Sequence, residues 1–349
     1  MKLYQIIIIL IVFFKTETLF SKNELFNVNN IQLEKNEKIS NKAIANLAIK
    51  KGFNQLINRI LLNQDVEKVS DLNLSSIKEL VKFYQITNVP DEKKNDSLLN
   101  FNVTFDKEKI HNLFYERAIL YSEIPDKELY ILPIFIKDEE IFVFNKNFFY
   151  ENWSKIYEGD LVEFILPLEN IEIIKNINDN RDNLISLNLD KVFQEYSNKN
   201  LALVLIEENK NLNKKVYIKT LIQGKKISKS INFKIKKKKL SDTNHYEKII
   251  SEVNKELINL IKSNNLIDIR TPSFLSTKLD LNKKSNLVEL KVRLKNIDTI
   301  ENIYVQEFNK EYMNLRIKYL GKLEKLINEL KKENIELRLV NDRWVIKTL

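Results

Sequence analysis

His111 and His245 are the only imidazoles in this chain, and there is no cysteine to act as a nucleophile or hold a metal. They stand far apart in the sequence, and no H-E-x-x-H pairs two histidines on one helix. Ser75-Ser76-Ile77-Lys78 contains S-x-x-K, the nucleophile-and-base spacing of penicillin-binding enzymes, but the S-D-N and K-T-G elements are absent. The same residues carry Ser76 and Glu79 in the S-x-x-E pattern of a helix capping box, which needs no chemistry. G-x-S-x-G is missing. Gly52, Gly159, Gly224 and Gly321 are too scattered for a phosphate-binding loop, where clustered glycines let backbone N–H groups approach the ligand. Carboxylate-pair hydrolysis needs two acids about 5–10 Å apart in a cleft. The 48 acidic residues offer many such pairs and select none. No catalytic, cofactor-binding or metal-ligating residue is therefore expected. The sharpest charge feature is Lys225, Lys226, Lys229, Lys234, Lys236, Lys237, Lys238 and Lys239. Such a cluster either holds anionic headgroups or protects a solvated strand edge, since lysine discourages edge-to-edge pairing.

The elements that would position these residues follow from hydrophobic spacing. Ala43, Leu47, Phe53, Leu56, Ile57 and Ile60 recur at helical intervals from Ser40, with Gly52 marking close packing, and a second helix starts near Ser76. Leu99, Phe101, Val103 and Phe105 alternate with polar residues as a half-buried strand. Asp106 then caps a helix whose apolar stripe leaves His111 on the far side. The apolar run 129–136 reads as a strand covered on both faces, at an edge or bulged at Pro133, with 141–144 as its hairpin partner. Trp153, Phe148, Phe149 and Tyr150 read as core. Strands are expected at 162–166, 201–206, 216–222 and 230–235, and a long amphipathic helix carries Ile249, Ile250, Val253, Leu257, Leu260 and Ile261. After a polar stretch at 264–286, Val288, Leu290, Val292 and Leu294 alternate as a strand, and Ile297, Ile300 and Ile303 mark a short helix. Strands at 304–308 and 313–319, a helix at 323–330 and a strand from Ile335 complete a β-α-β-β-α-β order, the ferredoxin-like unit, with a terminal hairpin through Asn341–Asp342.

Lys2 precedes the apolar run 3–14, and small Ser21 follows a short polar stretch. That is the plan of a secretory signal peptide over 1–21, too short to span a bilayer. The 349-residue chain is 44% hydrophobic and 30% charged, enough for two domains. A formal charge of +9 invites a nucleic-acid reading. We discount it: lysine is abundant alongside Asn, Ile, Phe and Tyr, as an A- and T-rich coding sequence produces, and export removes the chain from nucleic acid. The expected organisation is a signal peptide at 1–21, a flexible segment at 22–37, a mixed α/β domain at 38–275 and a ferredoxin-like α+β domain at 280–349. Few contacts should cross 264–286.

Ala48-Ile49-Lys50-Lys51-Gly52-Phe53, with Leu56, Arg59 and Ile60, resembles the opening helix of an uncharacterised family of proteobacterial envelope proteins. Val103-Thr104-Phe105-Asp106, the helix 110–118 and the apolar strand 129–136 follow in that family's order, as does 201–206 after Val192. The Arg-Pro pair that usually precedes the apolar strand is missing here. The layout is similar to the amino-terminal domain of TolB and its relatives in curli-secretion and flagellar-assembly proteins. The family has no established activity, so the resemblance transfers no site residue. It implies a periplasmic protein that works by contact with an envelope partner. The expected function is a non-catalytic interaction or assembly factor of the cell envelope. The rivals are a carboxylate-dependent hydrolase acting on cell-wall polymer and a factor bound to anionic membrane surfaces. No cofactor is expected. If 1–21 is a cleaved signal, mass spectrometry of protein purified from its native envelope should place the mature amino terminus near Lys22. An intact Met1 in membrane fractions would identify an uncleaved anchor instead.

Overall fold

The computed structural model describes residues 25–34, 40–87, 98–124, 127–156, 161–208, 213–234, 242–281 and 285–348. The signal segment at 1–21 and Lys236–Lys239 lie outside the described residues. The fold is mixed α/β, and the chain divides into two compact units, Met1–Glu123 with Leu266–Leu349, and Ile124–Asn265. This partition does not coincide with the linear one expected from the sequence. No helix among the described residues is long and apolar enough to cross a membrane.

The amino-terminal part of the discontinuous unit contains β1 (Asn27–Glu34), α1 (Asn41–Ile60), α2 (Leu74–Glu79), β2 (Val81–Thr87), β3 (Leu98–Phe105), α3 (Lys107–Glu116) and β4 (Tyr121–Ser122). The antiparallel sheet runs β1-β3-β2. Phe101, Val103 and Phe105 are buried, as their alternation predicts. Within the segment expected to be flexible, Asn27–Glu34 form β1 instead. Val28 and Ile31 are buried against α1, and Arg59 donates to the carbonyls of Leu25 and Asn27. Two apolar residues three apart among polar ones gave no strand signal, and a bulge between Val28 and Ile31 is what lets both face inward. Ser40 caps α1 through the Ala43 N–H at 3.3 Å, and Asp106 caps α3 through that of Lys109 at 3.2 Å. The cap of α2 is Asn73, which accepts from the Ser76 N–H at 3.0 Å, so Ser76 and Glu79 lie inside the helix and form no capping box.

The inserted unit is a three-layer α/β/α body. It contains β5 (Glu128–Lys137), β6 (Glu140–Phe142), α4 (Phe148–Ile156), β7 (Glu163–Ile165), α5 (Ile171–Asp179), a 3-10 turn (Arg181–Ser186), α6 (Leu189–Val192), β8 (Leu201–Glu208), β9 (Asn213–Ile222), β10 (Lys225–Lys234) and α7 (Asp242–Asn264). The strand order is β10-β9-β8-β5-β6, with β7 also on β5. Helices α4 and α7 cover one face through Phe149, Trp153, Ile250 and Val253. Helices α5 and α6 and the 3-10 turn cover the other through Ile173, Ile177, Leu184 and Val192. Pro133 is tolerated because of its neighbours. β7 pairs only with 128–130 and β6 only with 135–137, so 133 falls in the gap between them. There the buried Asn147 amide donates to the Pro133 carbonyl at 2.9 Å, while its Oδ1 accepts from the Phe149 N–H and starts α4.

The carboxy-terminal part rejoins the first unit through β11 (Leu266–Ile267), which pairs with β4. Then come β12 (Ser273–Asp280), α8 (Ser285–Lys295), β13 (Ile300–Phe308), β14 (Tyr312–Tyr319), α9 (Leu323–Lys332), β15 (Ile335–Val340) and β16 (Arg343–Thr348). The order is the expected β-α-β-β-α-β with one more strand, but it starts from different residues. The stretch taken as a linker supplies β12, whose Leu275, Thr277 and Leu279 are buried. The strand expected at 288–294 is helix α8. Val288 and Val292 are 68% and 57% exposed, whereas Leu290, Leu294 and Ile297 are buried, a spacing of four and three that makes one helical stripe. Ile300 and Ile303 belong to β13, not to a short helix. The sheet runs β13-β14-β12-β16-β15, and β16 lies parallel to β12 after a turn through Asn341 and Asp342, both at positive φ.

Gly52 lets α1 lie directly on the sheet. An added Cβ would stand 2.9 Å from Ile31 Cδ1 and 3.4 Å from Val103 Cβ. Gly52→Ala should be near neutral, because a helix-propensity gain of about 1 kcal/mol offsets the displacement of one flexible methyl. Gly52→Leu should cost about 3 kcal/mol by overpacking. Urea unfolding of the two variants measures the difference, and equal midpoints would contradict the close approach.

Candidate functional site

Lys225, Lys226, Lys229 and Lys234 all lie on β10, the terminal strand of the inserted unit's sheet. Among the described residues nothing pairs with its outer edge. The β9–β10 hairpin turns through Gln223 and Gly224, both at positive φ, which fits a two-residue primed turn. The flanking pair Ile222–Lys225 is then a hydrogen-bonded pair, and bonding to β9 recurs at Ile227, Lys229 and Ile231. By the same alternation, Lys226, Ser228, Ser230 and Asn232 turn their N–H and C=O groups toward the free edge. Residues 213–234 contain seven lysines and no acid.

These lysines are not one open patch. Lys226 faces Asp190 at 3.6 Å on one side of the sheet, and Lys229 pairs with Glu256 of α7 at 2.5 Å on the other. Lys219 of β9 donates to the carbonyls of Ile185 and Leu187 at 3.1 and 2.7 Å, tying the 3-10 turn to the sheet. Between that turn and β10 opens a cleft of about 220 Å³ with Leu203, Leu205 and Tyr217 as its floor and Ile185, Ser228 and Ser230 along its rims. The edge therefore offers unpaired backbone groups, cationic side chains and an apolar recess on one side.

Charge is also buried at the carboxyl ends of the parallel strands β5 and β8. Glu208 accepts from the Tyr246 hydroxyl at 2.7 Å and pairs with Lys214 at 3.2 Å and Lys137 at 3.3 Å. Lys214 is 2% exposed and stands 3.8 Å from the Tyr246 ring centroid. Burial pushes the Glu208 carboxyl up, but the Tyr246 hydrogen bond and the two ammonium groups outweigh it, and the net shift is downward. Sequence reasoning missed this cluster because the lysine signal in 214–215 is the same as on a solvated strand.

The discontinuous unit holds the second charged cluster. His111 is buried, contrary to the expected outward face, because Phe26 and Tyr121 close over it at ring distances of 5.7 and 5.3 Å. Among the described residues its Nε2 has no hydrogen-bond partner, and Nδ1 is 3.8 Å from a Glu301 carboxylate oxygen. Burial, with Lys107 adding repulsion, pushes His111 down to about 4. Nearby, Lys325 binds Glu123 and stands 3.7 Å from Glu329, which accepts from the Thr299 hydroxyl at 2.5 Å. Desolvation raises Asp298 above the usual carboxylate range; Lys107 and Lys325 oppose the shift while Glu329 and Glu123 reinforce it. Asp298 keeps more than a third of its surface exposed, so water screens part of that effect. Among the described residues no group of three His, Asp or Glu could hold a metal ion. His111 lies on α3 and Ser75 and Lys78 on α2 of the discontinuous unit, whereas His245 lies on α7 of the inserted one.

No family model matches this chain, and no curated protein matches its sequence. A solved structure described as an uncharacterized protein matches 41% of this chain and 95% of its own, at 10% identity and a TM-score of 0.19. A likeness that weak carries no argument about fold or function.

His111 makes stability depend on pH in a definite direction. Its folded value of about 4 lies below the ordinary 6.5, so the unfolded chain binds the proton more readily between those values. The neutral, buried ring favours folding fully above pH 6.5, and the advantage falls by on the order of 3 kcal/mol as pH drops toward 4. His111→Phe should flatten that loss. Chemical denaturation at pH 7 and pH 4.5 measures it, and an unchanged slope in the variant would place the acid sensitivity elsewhere.

Proposed function

We propose that this protein is a non-catalytic interaction or assembly factor of the cell envelope, working in the periplasm, which takes an extended acidic segment of a partner onto β10. One observation carries the reading: a ten-residue strand whose outer edge pairs with none of the described residues, with no acidic side chain and an apolar cleft along one side. Strand addition supplies backbone hydrogen bonds, and pockets for alternate side chains supply selectivity. Lysines on the edge disfavour a second cationic strand and admit an acidic one. The proteobacterial envelope family and the TolB-like module resembled by the sequence support the same class of role. Lys291 and Arg293, in the stretch expected from its alternation to be a strand, offer no such edge. Both lie on α8, where Arg293 pairs with Glu289 at 2.5 Å and donates to the Glu333 and Asn334 carbonyls.

A carboxylate-dependent hydrolase acting on cell-wall polymer is the second reading, supported by the raised Asp298 near Glu123 and Glu329. The anionic-membrane reading has less support, because Lys226 and Lys229 already face carboxylates.

A photo-crosslinker at Asn232 in intact cells should capture a defined envelope partner through an acidic segment. Ser228→Pro with Ser230→Pro should abolish that adduct, because proline removes two outward N–H groups without removing a bond to β9. Asp298→Asn should leave it intact. An adduct indifferent to the prolines, or a phenotype that follows Asp298→Asn alone, would overturn the proposal in favour of the hydrolase.

A further inference from the structure

Helices α8 and α9 both pack on one face of the five-stranded sheet, through Leu290, Leu294, Leu326 and Leu330. Among the described residues nothing is packed over the opposite face, and strand register arranges its side chains in rows. Tyr304 lies opposite Arg316, which lies opposite Ser276. Arg343, one residue before the Trp344–Thr277 pairing, continues that row. In the adjacent row Lys318 stands between Asn302 and Phe274. These two rows hold three cations and two rings, with Phe274 48% and Tyr304 44% exposed, and no acid.

The rest of the face is electrically balanced. Lys278, Arg338 and Lys347 share it with Asp280, Glu307 and Glu336. Lys278 pairs with Asp280 at 2.9 Å and Arg338 with Glu336 at 2.6 Å, while Glu307 accepts from Tyr312 and Asn314, both at 2.8 Å. In contrast, among the described residues Arg316, Lys318 and Arg343 have no carboxylate partner. The Arg316 guanidinium is held 4.3 Å from the Phe274 ring centroid. A stacked guanidinium keeps its plane fixed and can offer its N–H edge to a carboxylate in bidentate fashion.

We propose that this half-face is a second docking surface, for a short acidic polypeptide segment of a partner that carries an apolar or aromatic side chain between its carboxylates. The three cations match a few carboxylates, and Tyr304 with the flank of Phe274 offers a flat apolar contact between them. A polynucleotide fits less well. Its continuous charge would run onto Asp280, Glu307 and Glu336, and Arg316 already covers one face of the Phe274 ring. The surface uses none of the residues of the β10 edge, so it stands or falls independently of the role proposed for that edge.

Fluorescence anisotropy on the full chain tests it, with a labelled peptide of glutamates flanking phenylalanines and an oligothymidylate of matching charge as probes. The peptide should bind the unaltered protein, and Arg316→Glu with Lys318→Glu should weaken it at least about tenfold. Phe274→Ala should weaken it about threefold or more, whereas Lys347→Glu should leave it within about twofold. If the charge reversal unfolds the protein by circular dichroism, Arg316→Gln with Lys318→Gln replaces it and the same tenfold loss is expected. All of these comparisons are made in a Ser228→Pro, Ser230→Pro background, which closes the β10 edge to the acidic peptide and should still bind it through this face. The inference is overturned if the peptide does not bind, if binding ignores the charge changes, if the proline variant loses it, or if oligothymidylate binds more tightly.

Discussion

The parallel pairing of β5 with β8, buried on both faces, is the constraint on which the inserted unit depends. Leu201–Ile206 are all buried, and Leu129, Ile131, Leu132, Ile134 and Phe135 join them. Parallel strands require a crossover between them, and here that crossover carries α4, α5 and α6. With both faces of the central pair sealed, the sheet can only grow sideways. On one side Pro133 leaves a gap that Asn147 closes with a side-chain hydrogen bond. On the other the chain continues as the antiparallel β9–β10 hairpin and ends the sheet with β10. The free edge is therefore a consequence of how the core is built.

Burial also decides which ionisable groups matter. Lys214 lies in the interior only because Glu208 and the Tyr246 ring receive its ammonium, and Glu208 is in turn held by Tyr246 and Lys137. A buried charge without such partners would cost several kcal/mol. His111 resolves the same problem differently, by staying neutral among aromatic rings. Both groups sit where distant parts of the sequence meet, and neither was legible from local spacing.

The legible part of the fold was the part with one unambiguous period. The half-buried β3, the covered β5 and β8, and the long helix α7 each show a single pattern over many residues. The misreadings arose where two patterns coincide. In 288–294 every second residue is apolar, which satisfies a strand, yet Leu290, Leu294 and Ile297 alone satisfy a helix, and packing against the sheet selects them. In β12 the inward positions are Leu275, Thr277 and Leu279, and the polar residues around them resemble a linker. β1 hides its buried pair behind a bulge. The lysines of β10 were visible in the sequence, but the cleft beside them joins residues from β8, β9, β10 and the 3-10 turn, and no local pattern links these.

An exposed edge this long is a liability, because any extended chain can pair with it, including a second copy of itself. Charge limits that. Two β10 strands brought together would place two lysine-rich, acid-free segments side by side, and like charges that fall opposite one another are destabilising. An acidic segment meets no such penalty, but the charges alone give it little net affinity, because exposed pairs are screened by water and salt. Affinity has to come from the backbone ladder and from side chains entering the apolar cleft, with lysine charge setting which chains are admitted and how fast they arrive. That division of labour explains why Lys226 and Lys229 can already face Asp190 and Glu256 without closing the site. Those carboxylates hold the lysines at the flanks of the strand and leave the outward N–H and C=O groups of Ser228 and Ser230 open to an incoming chain.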